Sequence, residues 1–164
     1  MGLQLPGELV SLLSMLGFTW PEADETELLK MGNAWLRFAA AHEGPLGELD
    51  GHAHQVWQNN RADDIDAFRN AWNRPDAPKA NLEDFGTAAN IIGAGLMVCA
   101  GIVLALKINV IIQLTILAIQ IAQAIATAAA TFGASLLEIP IFKMITKFAI
   151  DMLIDMALQA ILNG

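Results

Sequence analysis

The chain has 164 residues, 55% of them hydrophobic and 16% charged, with a formal net charge of −8. That length suits one ordinary domain, the composition is greasy for a soluble one, and the acidic balance argues against nucleic acid, whose phosphates call for clustered lysines and arginines. A single cysteine, Cys99, excludes an intramolecular disulfide and a cysteine-based zinc site.

Charge is distributed unevenly. Residues 1–84 hold fourteen of the seventeen acids, six of the nine bases and all four tryptophans, whereas residues 85–164 hold three acids (Glu138, Asp151, Asp155) and three bases (Lys107, Lys143, Lys147). This divides the chain into an acidic region, 1–78, and an apolar region, 79–164. The start, Met1-Gly2-Leu3-Gln4-Leu5-Pro6, lacks the basic and continuously apolar parts of a cleavable signal peptide.

No alternating run bounded by a hairpin turn suggests strands, and helical periodicity is plentiful, so the fold class expected is all-α. A first helix covers Gly7–Met15, with Leu9, Leu12, Leu13 and Leu16 on one side, and ends at Gly17 before Trp20-Pro21. Asp24 followed by Glu27 reads as a capping box. The next helix carries a heptad-like row of Leu28, Met31, Trp35, Phe38, His42, Leu49 and Val56, with a kink or short break expected at Gly44-Pro45. Trp57-Gln58-Asn59-Asn60 reads as a turn. A return helix from about Arg61 to Trp72, with Ile65, Phe68 and Trp72 inward, then makes an antiparallel helical hairpin. Asn73–Pro78, with two prolines, is the clearest linker.

Beyond it, Phe85–Leu106 is 22 residues without a charge, long enough to cross a hydrocarbon core of ~30 Å. Lys107 interrupts the run, and Ile108–Leu137 is expected to form a further apolar helix. It carries one polar stripe of Asn109, Gln113, Gln120, Gln123, Thr127 and Thr131 within an arc of roughly 80°. Gly133 is expected to break it, and Pro140 suits the first turn of a last helix to about Leu162. Helices apolar over most of their circumference need neighbours on several sides, protein or lipid. The overall expectation is a helical hairpin followed by long apolar helices forming a bundle.

Chemistry is sparse. His52 and His54, beside Glu48 and Asp50, point about 200° apart on a helix and cannot grip one ion; Asp63, Asp64 and Asp66 suit a helix N-terminus. With no phosphate loop and no ordered nucleophile, the chain is read as non-enzymatic, with no catalytic, metal or cofactor site.

Three stretches carry a family resemblance. Leu5-Pro6-Gly7-Glu8-Leu9 through Gly17-Phe18-Thr19-Trp20-Pro21-Glu22-Ala23-Asp24 resembles the opening of the WXG-like N-terminal domains of actinobacterial polymorphic toxins, CpnT-like channel domains among them. Val56-Trp57-Gln58-Asn59, then Ala67-Phe68-Arg69-Asn70-Ala71-Trp72, resembles their Trp-x-Gly turn and return helix, with Asn59 in place of glycine. Ala105-Leu106-Lys107, Gln113-Leu114 and Thr131–Leu136 give the third. The resemblance implies a substrate of type VII secretion, secreted or at the cell surface without a cleavable signal, that partners small helical WXG-type proteins and the secretion machinery. Apart from the resemblance, the excess apolar helix surface gives homo-oligomers and membrane association as further expectations. Trp35, Phe38, Phe68 and Trp72 would form the hairpin core and partner interface. The chain has no tyrosine for the usual Tyr-x-x-x-Asp/Glu secretion signal, and Trp72 with Asp76 is a candidate Trp-for-Tyr version. Such domains commonly precede a toxin domain; none is present here, so the chain is expected to be an N-terminal region or a toxin-less relative. The alternative function is a membrane-inserting channel or toxin-translocation domain, with the polar stripe lining a pore.

Overall fold

A computed structural model describes residues 2–163. Among them the chain is helical without strands. The order is α1 (Gly7–Met15), α2 (Glu25–Asn59), α3 (Asp63–Trp72), α4 (Pro78–Thr127), a short 3-10 helix (Ala134–Glu138) and α5 (Ile139–Asn163). The all-α expectation holds.

Local signals set the first boundaries. The leucine periodicity gives α1, and Gly17, at φ +87°, ends it: the Gly17 amide bonds to the Ser14 carbonyl and the Phe18 amide to the Leu13 carbonyl. These are the two bonds of a Schellman stop, which requires left-handed backbone at its glycine. Asp24 Oδ1 accepts from the Thr26 and Glu27 amides at 3.0 and 3.1 Å, capping α2.

Elsewhere tertiary packing overrides local cues. No break occurs at Pro45: α2 runs on to Asn59. The proline costs one backbone bond, about 3 kcal/mol, and burial of Gly32, Ala39 and Ala53 on either side keeps the helix whole. The expected turn at Trp57–Asn60 is likewise shorter, since Trp57 and Asn59 lie in the last turn of α2. Lys107 does not divide the apolar region either. Lysine is a good helix former, and α4 passes through it uninterrupted but stops at Thr127, before Gly133.

By packing, the chain forms two units. One comprises the chain up to Glu27 together with Cys99 onward, and the other Leu28–Val98; the compositional division after residue 78 instead marks the start of α4.

In the Leu28–Val98 unit, α2 and the first part of α4 form an antiparallel hairpin, with α3 folded back on the end of α2. The long arms meet through small residues. A Cβ placed on Gly32 would lie 2.8 Å from the Gly93 carbonyl oxygen, and one on Gly93 2.9 Å from Leu36 Cδ2. Such backbone approach is available only to glycine. Gly32, Ala39 and Ala53 are the buried positions of α2 in this unit, while Met31, Phe38, Leu49 and Val56 of the expected row are exposed.

The other unit has its core where Leu9, Leu13 and Leu16 meet Val110, Leu114 and Leu117 of α4 and Ile150 of α5. Leu114 and Leu117 are fully buried. The turn between α4 and α5 is held by Ser135, whose hydroxyl donates to the Ala124 carbonyl at 2.7 Å.

The glycine crossing is testable. Gly32→Ala should lower stability by about 1–3 kcal/mol through overpacking, although alanine is the better helix former by about 1 kcal/mol. Gly95→Ala, at an exposed position of α4 with nothing within 4 Å, should raise it by up to about 1 kcal/mol. Denaturant midpoints decide; equal gains at both sites would remove the close-approach argument.

Candidate functional surface

Among the described residues no group of three or more His, Cys, Asp or Glu side chains could hold a metal ion. His54 is occupied locally, its Nδ1 2.9 Å from the Asp50 carbonyl oxygen. Asp63, Asp64 and Asp66 occupy the first turn of α3.

The aromatic residues singled out in the sequence fall into two clusters in the hairpin unit. At one, Phe38 meets Trp35 at 6.2 Å and Phe85 at 5.5 Å, both edge-on, and stacks on His42 at 6.1 Å. Interplanar angles of 81° and 84° are the edge-to-face geometry favoured by ring quadrupoles. Met31, Ala34, Trp35 and Phe38 line a shallow apolar groove beside it. At the other, Trp57 sits 5.7 Å from Phe68, which sits 5.8 Å from Trp72. Asn59 contributes no ring and is the last residue of α2.

Trp72 is anchored by its indole, which donates to Asp50 Oδ1 at 2.9 Å; Lys79 Nζ meets the same oxygen at 2.7 Å. Hydrogen bonds from Lys79 and then Trp72 hold the Asp50 carboxyl below its ordinary value. Asp76 is exposed and paired with Arg74 at 2.7 Å. His42 stands in the row expected of α2, whereas Phe85 and Asp50 join these clusters from positions that the periodicity of α2 does not mark. The four-residue spacing of Phe38 and His42 is the available signal for His42; the contact with Phe85 comes from the distant arm of the hairpin and leaves none.

In the other unit the polar stripe is present on α4 as Asn109, Gln113, Gln120, Gln123 and Thr127; Thr131 sits past the helix end, its hydroxyl donating to the Thr127 carbonyl at 3.0 Å. Asn109 Nδ2 and Thr127 Oγ1 donate to their own helix, to Ala105 and Gln123 carbonyls at 2.8 and 2.9 Å. Such back-bonding satisfies polar groups beside apolar surroundings. Asn109 also lines a groove with Ile102, Leu106, Leu153 and Met156. Next to the stripe an apolar row of Ile108, Ile112 and Ile119 is exposed, with Thr115, Ala122 and Ala126 completing its spacing of three and four. A second such row on α5 comprises Ile141, Ile145, Phe148 and Met152.

This unit also contains a buried ion pair. Lys107 Nζ lies 2.8 Å from Glu25 Oε2 and 2.7 Å from the Ala23 carbonyl oxygen, and 5.8 Å from the Trp20 ring centroid. Glu25 also accepts a hydrogen bond from the Leu3 amide. Burial alone would raise the Glu25 carboxyl, but the hydrogen bonds from Lys107 and Leu3 outweigh it and hold it below its ordinary value.

The sequence model for the WXG100-like domain matches residues 4–148. The chain belongs to the WXG100-like domain family. This ties it to type VII secretion as an associated helical protein, and proteins of the WXG100 family typically act there as partners and form dimers. No curated protein and no solved structure matches this WXG100-like domain significantly.

The ion pair fixes a pH dependence. Glu25's folded pKa lies below the 4.5 of an ordinary glutamate, so its contribution is fully present above that value and is lost as pH falls through the folded pKa. Denaturation followed from pH 7 to pH 2 should show stability declining below about pH 4.5, with a shallower decline in Glu25→Gln. Identical slopes would mean the carboxylate is not stabilised in the fold.

Proposed function

We propose that this WXG100-like domain is a non-enzymatic secretion-targeting and partner-binding module of a toxin-like protein. It is exported by the type VII route, or displayed at the cell surface, without a cleavable signal. The observation that carries this reading is the pair of exposed apolar rows on α4 and α5. Ile119 is 52% exposed and Phe148 66%, and both stand in rows whose spacing matches the seam of helix-on-helix packing. A soluble subunit rarely leaves so much contiguous apolar surface bare. A small helical WXG-type protein is the partner whose shape and chemistry fit. Trp72 and Asp76 are the proposed secretion signal, and the aromatic clusters stiffen the hairpin that the machinery recognises.

The test is co-expression. Wild-type chain alone should self-associate or precipitate, and small WXG-type proteins from the same genome should bring it into a soluble complex. Ile119→Asp and Phe148→Asp should each weaken that complex by about tenfold or more, and Trp72→Ala with Asp76→Ala should reduce export. A chain that stays monomeric and captures none of these partners sinks the reading.

A second reading, a membrane-inserting channel or translocation domain, is favoured by α4 itself. It is long and apolar enough to cross a bilayer, and most of its most apolar stretch is not buried. The stripe from Asn109 to Thr127 would face the conducting path. Flotation with phosphatidylglycerol-containing vesicles and dye release test it: Gln113→Leu with Gln120→Leu should keep flotation but reduce leakage. Absence of wild-type flotation at every pH would remove it.

A further inference from the structure

Lys107 is the only charged residue between Phe85 and Leu137, yet it is just 2% exposed. A buried ammonium needs its charge matched and its donors used. The carboxylate, the carbonyl and the nearby ring that do so come from Glu25, Ala23 and Trp20, more than eighty residues away in sequence. The segment that delivers them also carries α1, whose leucines cover Val110, Leu114 and Leu117. Between the two contacts, residues 18–24 form no regular element, and Gly17 supplies left-handed backbone where α1 ends.

We propose that the segment from residue 2 to Glu25, the first residue of α2, is a releasable clasp over the centre of α4, held shut by the Glu25–Lys107 pair. A nine-residue helix has little stability of its own, so α1 stays folded only while it is docked. Removing the carboxylate leaves a cation buried without a counter-charge, and the way to relieve it is to open the segment and let water in. The long helices keep their own backbone bonds and need not unfold. Opening therefore belongs to the class of local, cooperative transitions rather than to global unfolding. It uncovers an apolar strip of α4 with a single cation at one end. The partner chemistry that fits this strip is an apolar helix presenting one carboxylate to Lys107, the arrangement the clasp itself uses. Glu22 and Asp24 flank the same lysine; Asp24 is committed to capping α2. The clasp stands whether or not the proposed secretion role does.

Hydrogen exchange read by mass spectrometry on the full chain tests it. In Glu25→Gln, the amides of α1 should exchange at least about a hundredfold faster, with those of Leu28–Val98 unchanged. Glu25→Gln combined with Lys107→Met should restore protection to within about tenfold of wild type, because an apolar side chain no longer needs the partner. Glu22→Gln should leave exchange unaltered. Should a variant not fold, wild-type exchange in low urea serves: α1 amides should open with a smaller urea dependence than those of Leu28–Val98. Unchanged α1 protection in Glu25→Gln, a loss spread equally over Leu28–Val98, a double variant as open as the single one, or a shared urea dependence would each overturn the clasp.

Discussion

A lone cation placed among some fifty uncharged residues has to be neutralised, solvated or removed, and in this protein it is neutralised. Lys107 draws Glu25 and the Ala23 carbonyl to the middle of α4, and the stretch from Trp20 to Glu25 is positioned by that demand. The leucines of α1 reach Val110, Leu114 and Leu117 because the segment behind them is tied down, and the Leu3 amide completes the carboxylate's coordination. Pairs of this kind add little to stability relative to an apolar substitute; their effect is to make one arrangement of the chain much better than its rivals. The pair also explains how α4 can carry a charge at mid-length without interruption.

The hairpin unit follows a different rule. Its long arms approach backbone to backbone at Gly32 and Gly93, with large side chains displaced to the flanks, where Trp35, Phe38, His42 and Phe85 make a ring cluster. Close approach shortens the distance between helix axes and lets dispersion act over more atoms. Such packing leaves the big apolar groups partly in water, which is why this half of the molecule, despite its acidic surface, presents grooves such as that lined by Met31 and Phe38.

How much of this could be read in advance depended on the range of the forces involved. The bounds of α1 and the Asp24 cap follow from residues within one or two turns, and both are found as expected. Helix α3 and its acidic first turn are equally local. Continuity through Pro45 was not visible, because it is decided by contacts from distant parts of the chain; at Lys107 the charge suggests a break although lysine is a good helix former. The row of large residues in α2 was legible as helical, but its inward face was assigned by size. The buried series is Gly32, Ala39 and Ala53, seven and fourteen residues apart, a periodicity that hydrophobicity alone does not weight. In the candidate surface, the residues of the stripe share a face until the helix stops at Thr127; Thr131 left that face because the chain turns there.

Since a single carboxylate and a single carbonyl two residues apart, from Glu25 and Ala23, both grip the Lys107 ammonium, the register between that segment and α4 is fixed to the residue. Shifting either by one position would rotate the lysine by about 100° around its helix and out of reach. Added or deleted residues are therefore best tolerated at places that bear no such phase relationship, such as the bend after Asn59, the stretch from Asn73 to Ala77 and the loop that follows Thr127. One residue inserted between Lys107 and Val110 would turn the leucine face of α4 about 100° away from the lysine, so the spacing between those two contacts is the dimension of the chain that cannot change.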